Sequence, residues 1–408
     1  MDLLLLLLPV AAASGWLAAK RSDRRQDASP PEANQSPAYF KGLNYLLNEQ
    51  PDKAIDVFVQ MLEVDSETVE THLALGNLFR RRGEVERAIR VHQNLIARPT
   101  LNRDQRAQAL LELGQDYMRA GLFDRAENLF SELIEINQYP EQALQNLRVI
   151  YQQEKDWKKC LEVASKLESI TDEALYAESA HYYCELAQIA RSSKDYSSAA
   201  SMLKKAQSCN RNCVRATMVQ GATEVERGNY KAAIKIFKRV ERQDHTFVPE
   251  VLPSLIECYQ QLNNRSGLVT YLWQLFKRQK SIAVALALVE LIKEDDGEQA
   301  AADFIAEYLR EYPNLDGVHK LIALNQSSAE AGESETLSIL YTQISLILEE
   351  RPAYKCKQCG LAVKMLHWHC PGCKSWDSIK PVLGLEVSST PSTTKPSEYS
   401  DRDWRNLM

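Results

Sequence analysis

The 408-residue sequence predicts an all-α protein: a superhelix of stacked helix pairs, with an N-terminal transmembrane helix and a small cysteine-rich module at the C-terminal end. Three observations predict it. A small residue returns about every 34 positions through a long amphipathic body, an uncharged apolar run occupies Leu3 to Ala19, and two Cys-x2-Cys pairs lie close together after residue 350. Hydrophobic residues at 45% and charged residues at 25% suit a folded soluble body, which excludes a disordered chain and a polytopic membrane protein. Lys plus Arg total 49 against 55 Asp plus Glu, a net −6 that lacks the basic footprint of a nucleic-acid binder.

Taken in chain order, Leu3 to Ala19 (LLLLLLPVAAASGWLAA) carries no charge and as a helix spans roughly 25 Å, enough for a thin bilayer. A cleaved signal peptide would want a basic start, whereas the residue after Met1 is Asp2. The positive charge follows the run, at Lys20, Arg21, Arg24 and Arg25. By the positive-inside rule the N-terminus faces out and the rest of the chain is cytoplasmic. Residues 21–37 are polar with three prolines and read as a linker.

Residues 38–350 hold the repeat. Small residues stand at Ala54, Ala88, Ala126, Cys160, Ala199, Ala233, Gly267 and Ala300, with steps of 34, 38, 34, 39, 34, 34 and 33. A period of 34 is that of the tetratricopeptide helix-turn-helix, and the longer steps are one repeat plus a short insertion. Other positions keep phase. Gly42, Gly76, Gly114 and Gly221 come twelve residues before the small residue; Phe58, Phe130 and Phe237 come four after it, with His92 in the same slot. Close helix packing explains both, since a small side chain lets a neighbour approach and an aromatic fills the gap beside it. The reading gives about eight to nine units, the later ones degenerate, stacked into a superhelix whose concave face binds proteins. No groove residue can be assigned a partner from one sequence.

Residues 351–385 contain Tyr354-Lys-Cys356-Lys-Gln-Cys359-Gly360 and His369-Cys370-Pro-Gly-Cys373. Two Cys-x2-Cys knuckles separated by ten residues predict one metal ion held by Cys356, Cys359, Cys370 and Cys373, since two facing knuckles complete a tetrahedral shell of four thiolates. Such a closed shell serves structure or electron transfer rather than hydrolysis, and ligand identity alone leaves zinc and iron open. Lys355, Lys357, Lys364, Lys374 and Lys380 against Asp377 give a local +4 that offsets the −2 of a divalent ion with four thiolates. His367 and His369 read as packing or supporting groups. Two disulfides would not suit a cytoplasmic domain.

Other constellations read as structural. His181 and Cys184, at i and i+3 in AHYYCELA, look like core residues rather than a base and nucleophile. Cys209 and Cys213 read as reduced thiols between helices with no partner pair, and Arg80-Arg81-Arg82 as a solvated helix end. No nucleotide-binding, zinc-protease or nucleophile-elbow motif is present, so the chain does not read as an enzyme. Residues 386–408 are rich in Ser, Thr and Pro and read as a disordered tail.

The order of modules, with the strings LLLPVAAASGW, THLALGNLFRRRGEVERAIRVHQNLI, AHYYCELA, YKCKQCG and LHWHCPGCKSWDSIKP, resembles the lipopolysaccharide assembly protein B family of Gram-negative bacteria. The resemblance implies a rubredoxin-like terminal module with Cys356, Cys359, Cys370 and Cys373 as ligands and iron as the favoured metal. It also implies a single-pass protein of the bacterial inner membrane, N-terminus periplasmic and bulk cytoplasmic. Its implied role is an adaptor that regulates lipid A synthesis by promoting proteolysis of the committing deacetylase. The implied partners are that deacetylase, a membrane-anchored ATP-dependent protease, and an inner-membrane regulator with a periplasmic domain. The alternative from the residues alone is a tethered rubredoxin-type iron electron carrier.

Overall fold

The computed structural model describes residues 37–48, 50–64, 69–171, 174–326 and 331–382. Leu3 to Ala19, the flank Lys20, Arg21, Arg24 and Arg25, and the tail 386–408 lie outside the described residues. Among the described residues no helix is long and apolar enough to cross a membrane. The chain divides into two compact units, Met1–Asn146 and Leu147–Met408, with the division inside one helix.

The first unit contains α1 (Pro37–Leu47), α2 (Pro51–Val64), α3 (Val69–Arg81), α4 (Val85–Ile96), α5 (Arg103–Arg119), α6 (Phe123–Glu135) and the start of α7 (Pro140–Glu154). Pro37, placed in the linker by the sequence, opens α1. Helices α1 and α2, α3 and α4, and α5 and α6 pack as pairs. The phased positions explain the pairing. A β-carbon at Gly42 would lie 2.6 Å from the Phe58 ring, one at Gly76 would lie against His92, and one at Gly114 would lie 2.6 Å from Phe130. The glycine on one helix of each pair is thus the seat for the aromatic on the other, and Ala54, Ala88 and Ala126 are wholly buried beside it.

His92 is the departure from this scheme, a polar ring in an aromatic slot with no exposed surface. Its Nδ1 lies 2.6 Å from Oδ2 of the equally buried Asp116. Asp116 Oδ1 accepts from Arg80 Nη1 at 2.8 Å, and Arg80 Nη2 donates to Glu112 at 2.6 Å. Arg80 is therefore a half-buried structural cation, unlike the exposed Arg81 and Arg82, because α5 supplies two carboxylates across from the end of α3. Replacing Asp116 with Ala leaves the wholly buried His92 Nδ1 without its partner and Arg80 with Glu112 alone, and should cost about 1–3 kcal/mol, read from urea unfolding. Unchanged unfolding would remove the network from the account of stability.

The second unit continues with α8 (Trp157–Ile170), α9 (Tyr176–Ser192), α10 (Tyr196–Cys209), α11 (Val214–Glu226) and α12 (Tyr230–Phe237). The short α13 (Val240–Gln243) and a 3-10 turn at His245–Phe247 lead into α14 (Val248–Gln261), α15 (Arg265–Gln279), α16 (Ile282–Asp296) and α17 (Glu298–Glu311). Then come α18 (Leu315–Asn325) and α19 (Ala331–Glu350). Gly221 repeats the seat of the first unit, a β-carbon there falling against the Phe237 ring.

One backbone device marks the turn within successive pairs. Gly83, Gly121, Lys155, Lys194, Gly228 and Asn263 all have φ between 50° and 82°. Glycine adopts this left-handed region freely, whereas Lys155, Lys194 and Asn263 hold it at a cost that packing of the flanking helices offsets. These positions also correct the repeat phase. In each earlier unit the left-handed residue precedes the buried small residue by five, and five after Asn263 is Leu268, 3% exposed, not Gly267. The last unit likewise buries Ala301 and leaves Ala300 only partly covered. The buried slot is the fourth residue of the helix, set by where the helix begins, so a one-residue change in the turn moves it.

The C-terminal module departs from the all-α reading. Strands β1 (Tyr354–Cys356), β2 (Ala362–Val363) and β3 (Ile379–Pro381) form an antiparallel sheet in the order β2-β1-β3. Tyr354 pairs with Val363 on one side and Pro381 on the other. The sheet is too small for a core of its own. Cys356, Cys370 and Ile379 are its buried residues, with Leu361, Val363 and Leu366 packed around them.

Candidate metal centre and its seat on the repeats

Each knuckle is a tight turn that returns the chain on itself. Gly360 closes the first with φ at 75°, and the Cys356 carbonyl accepts from the Gly360 N–H at 3.0 Å. In the second, the Lys374 N–H donates to the Cys370 carbonyl at 2.9 Å, with Lys374 at φ 60°. The two hairpins bring the Sγ atoms of Cys356, Cys359, Cys370 and Cys373 within 4.8 Å of one another. Cys356 to Cys373 and Cys359 to Cys370 are both 3.7 Å apart. A tetrahedron of sulfurs about 2.3 Å from a central ion has edges of about 3.8 Å, so the set fits one metal, while a disulfide needs about 2.05 Å.

The surroundings favour thiolates at Cys356 and Cys373. The Cys359 N–H points at Cys356 Sγ at 3.5 Å, Ser378 Oγ lies 3.3 Å from that sulfur, and Ser375 Oγ lies 3.5 Å from Cys373 Sγ. Burial opposes ionisation of Cys356, but hydrogen bonds from Ser378 and the backbone outweigh it and bring the thiol down to about 6. Cys373 is lowered by the bonds from Ser375 despite its burial, whereas burial pushes Cys370 up to about 11. A positive ion at the centre would hold all four as thiolates.

The module does not stand alone. Trp376, three residues after Cys373, stacks on His369 at 4.6 Å and on His181 of α9 at 5.2 Å. Tyr182 of α9 and Trp157 of α8 meet the same ring edge-on at 5.7 and 6.1 Å. Trp368, two residues before Cys370, stacks on the wholly buried Phe247 at 5.3 Å and tilts over His181. Polar contacts frame this seam. Tyr354 Oη donates to Glu250 at 2.8 Å, and Lys380 reaches Asp244 at 3.2 Å and Asp377 at 3.0 Å. Arg215 of α11, 4% exposed, pairs with Glu185 at 2.8 Å and lies over the Trp376 ring. A module without a core has thus borrowed one from the repeats.

His181 is accordingly not an ordinary core residue of its own repeat, because Trp376 and Trp368 form one wall of its environment. Cys209 and Cys213 are free thiols, as the sequence reading has them, and Cys213 is buried in one core cluster with Cys184. Burial, reinforced by Arg215, Lys380 and His369, lowers the His181 pKa to about 3. The ring is therefore neutral when seated, while an uncovered imidazole binds a proton near 6.5. The opened state takes up the extra proton between those values, so stability of the seam is intact above about 6.5 and falls as pH drops below it, by at most about 1.4 kcal/mol per unit. Denaturant unfolding at pH 7 and pH 5 should show this loss, and His181→Gln should reduce it; an equal pH response in the variant would assign it elsewhere.

The tryptophans, Phe247 and Glu250 escaped the sequence reading, which took His181 as core and Lys380 only as part of the local positive charge. Trp368 and Trp376 did carry a signal, two large aromatics beside metal ligands in a module too small to bury them.

Residues 354–381 match the family described as Rubredoxin metal binding domain, and residues 71–107 and 184–245 each match Tetratricopeptide repeat. Over 388 residues the chain is 40% identical to lipopolysaccharide assembly protein B of Escherichia coli strain K12, covering 95% of this chain and 99% of that one. The chain belongs to the lipopolysaccharide assembly protein B family. The Haemophilus influenzae protein of the same name, from strain ATCC 51907, is 38% identical over 398 residues, 94% of this chain and 99% of its own length. Within this family the chain has tetratricopeptide repeats and a four-cysteine site for one metal ion, consistent with a role in binding proteins rather than in catalysis.

Proposed function

We propose that the chain is an inner-membrane-tethered adaptor that regulates lipopolysaccharide synthesis, presenting the deacetylase that commits precursor to lipid A to a membrane-bound ATP-dependent protease. The observation that carries the reading is the joining of a protein-binding repeat array to a closed metal site that supports it, in a family named for lipopolysaccharide assembly. A closed shell of four cysteines leaves no position for a substrate, which favours a scaffold over a hydrolase. Leu3 to Ala19 would serve as the span, with Lys20, Arg21, Arg24 and Arg25 on the cytoplasmic side. Tethering confines adaptor and protease to two dimensions and raises their effective concentration. A regulator with a periplasmic domain would act through the same membrane. Cys356, Cys359, Cys370 and Cys373 would hold the one metal ion, for which the reading takes iron, and their clustering supports a single ion there.

Affinity purification from membranes with residues 1–20 intact, comparing the natural chain with Cys356→Ser, tests this. Recovery of a membrane protease together with a lipid A pathway deacetylase is expected from the natural chain. Retained regulation after removal of residues 1–20 would overturn the tethered reading. A reversible one-electron couple with a reductase as the main co-purifying protein would favour the electron carrier instead.

A further inference from the structure

Helix α19 closes the array with a face that terminal repeats do not ordinarily show. Stacked repeats end on a polar surface, since nothing further packs there. Here Ile339, Leu340, Leu346 and Ile347 are 58%, 47%, 51% and 54% exposed. At 100° per residue the four fall on one side of the helix. The opposite side is taken by α18, where His319 stacks on Tyr341 at 4.2 Å and meets Ser345 Oγ at 2.9 Å. Exposed Glu335 and Glu350 stand at the two ends of the apolar stripe, and the whole helix contains four glutamates and no lysine or arginine.

That charge pattern selects among occupants. A second copy pairing antiparallel would set Glu335 against Glu350 at both ends, and a parallel pair would set each against itself, so self-association opposes like charges in either direction. An anionic bilayer surface repels the same carboxylates. A helix with an apolar face and basic flanks satisfies both the stripe and its ends. We propose that α19 is a docking face for a cationic amphipathic helix of a partner protein, which packs there as the first helix of a further repeat would.

The test uses the full chain in nanodiscs of zwitterionic lipid. The probe is a synthetic amphipathic peptide of about 20 residues, with leucines on one face and lysines at its edges, titrated by calorimetry. Saturable binding is expected, weakening as salt rises from about 50 to 500 mM. Leu340→Ser/Ile347→Ser should weaken it by about tenfold or more, with unchanged circular dichroism, because both side chains are on the surface. Glu335→Gln/Glu350→Gln should flatten the salt dependence, and a peptide with glutamates for lysines should not bind. No binding, or equal binding by the serine variant, overturns the proposal. So does sedimentation showing a dimer that the serine variant abolishes, which would make a second copy the occupant. Preferential attachment to anionic vesicles through the same residues would make it the membrane, and binding that emerges only after removal of residues 1–36 or 386–408 would make it the chain's own terminus.

Discussion

Stripping the metal with a chelator, or replacing Cys356 with serine, is expected to loosen α9 and α11 as well as the knuckles. Trp368 and Trp376 sit within three residues of Cys370 and Cys373 and are aimed at the repeats by the turns those cysteines close. The sheet is three short strands and cannot hold this geometry alone. In small metal domains the binding free energy is in effect the folding free energy, so loss of the ion releases both indoles. Each indole buries up to about 200 Å², and at roughly 25 cal/mol per Å² the two together contribute at most about 10 kcal/mol. Once it opens, His181, Tyr182, Arg215 and Phe247 face water. Amide exchange in α9 and α11 should then quicken by at least about tenfold, corresponding to about 1.4 kcal/mol. Exchange confined to residues 351–382 would show that the repeats stand without the module.

The second large effect belongs to the glycine seats. Phe130 is wholly buried with its ring on Gly114, and truncating it to Ala should cost about 3–5 kcal/mol through lost burial and the cavity left behind. Gly114→Ala acts on the same contact from the other side. Alanine favours the helix by about 1 kcal/mol, but its methyl would fall 2.6 Å from the Phe130 ring, and overpacking of that kind costs about 1–3 kcal/mol. The net effect is destabilising, and Phe130→Leu should recover part of it, so that the two changes together cost less than their sum. Urea unfolding of the four proteins reads the coupling. Simple additivity would mean that the seat and the ring do not share the contact.

The phase of the repeat was legible because it is a local rule repeated many times. A helix pair needs a small residue, a seat and an aromatic at set spacings, and Ala54, Ala88, Ala126, Cys160, Ala199 and Ala233 report it without reference to anything distant. It slipped at Gly267 and Ala300 for the same reason, since the turns there shift the helix start by one residue and a fixed spacing does not follow. Arg80 and Asp116 were opaque because they lie on different repeats, 36 residues apart, and a basic triplet looks the same whether or not carboxylates await it.

By itself the sequence determined the repeating helix pairs, the four thiols of one metal shell and the family to which the chain belongs, because each rests on residues near one another or on a fixed period. Only the tertiary structure decided that the metal module is seated on α8, α9, α11 and α14, that Trp368 and Trp376 make the seam, and that His181 is held neutral within it. Those contacts join residues more than a hundred positions apart, and no spacing rule connects them. They follow from apolar surface that neither partner could bury alone.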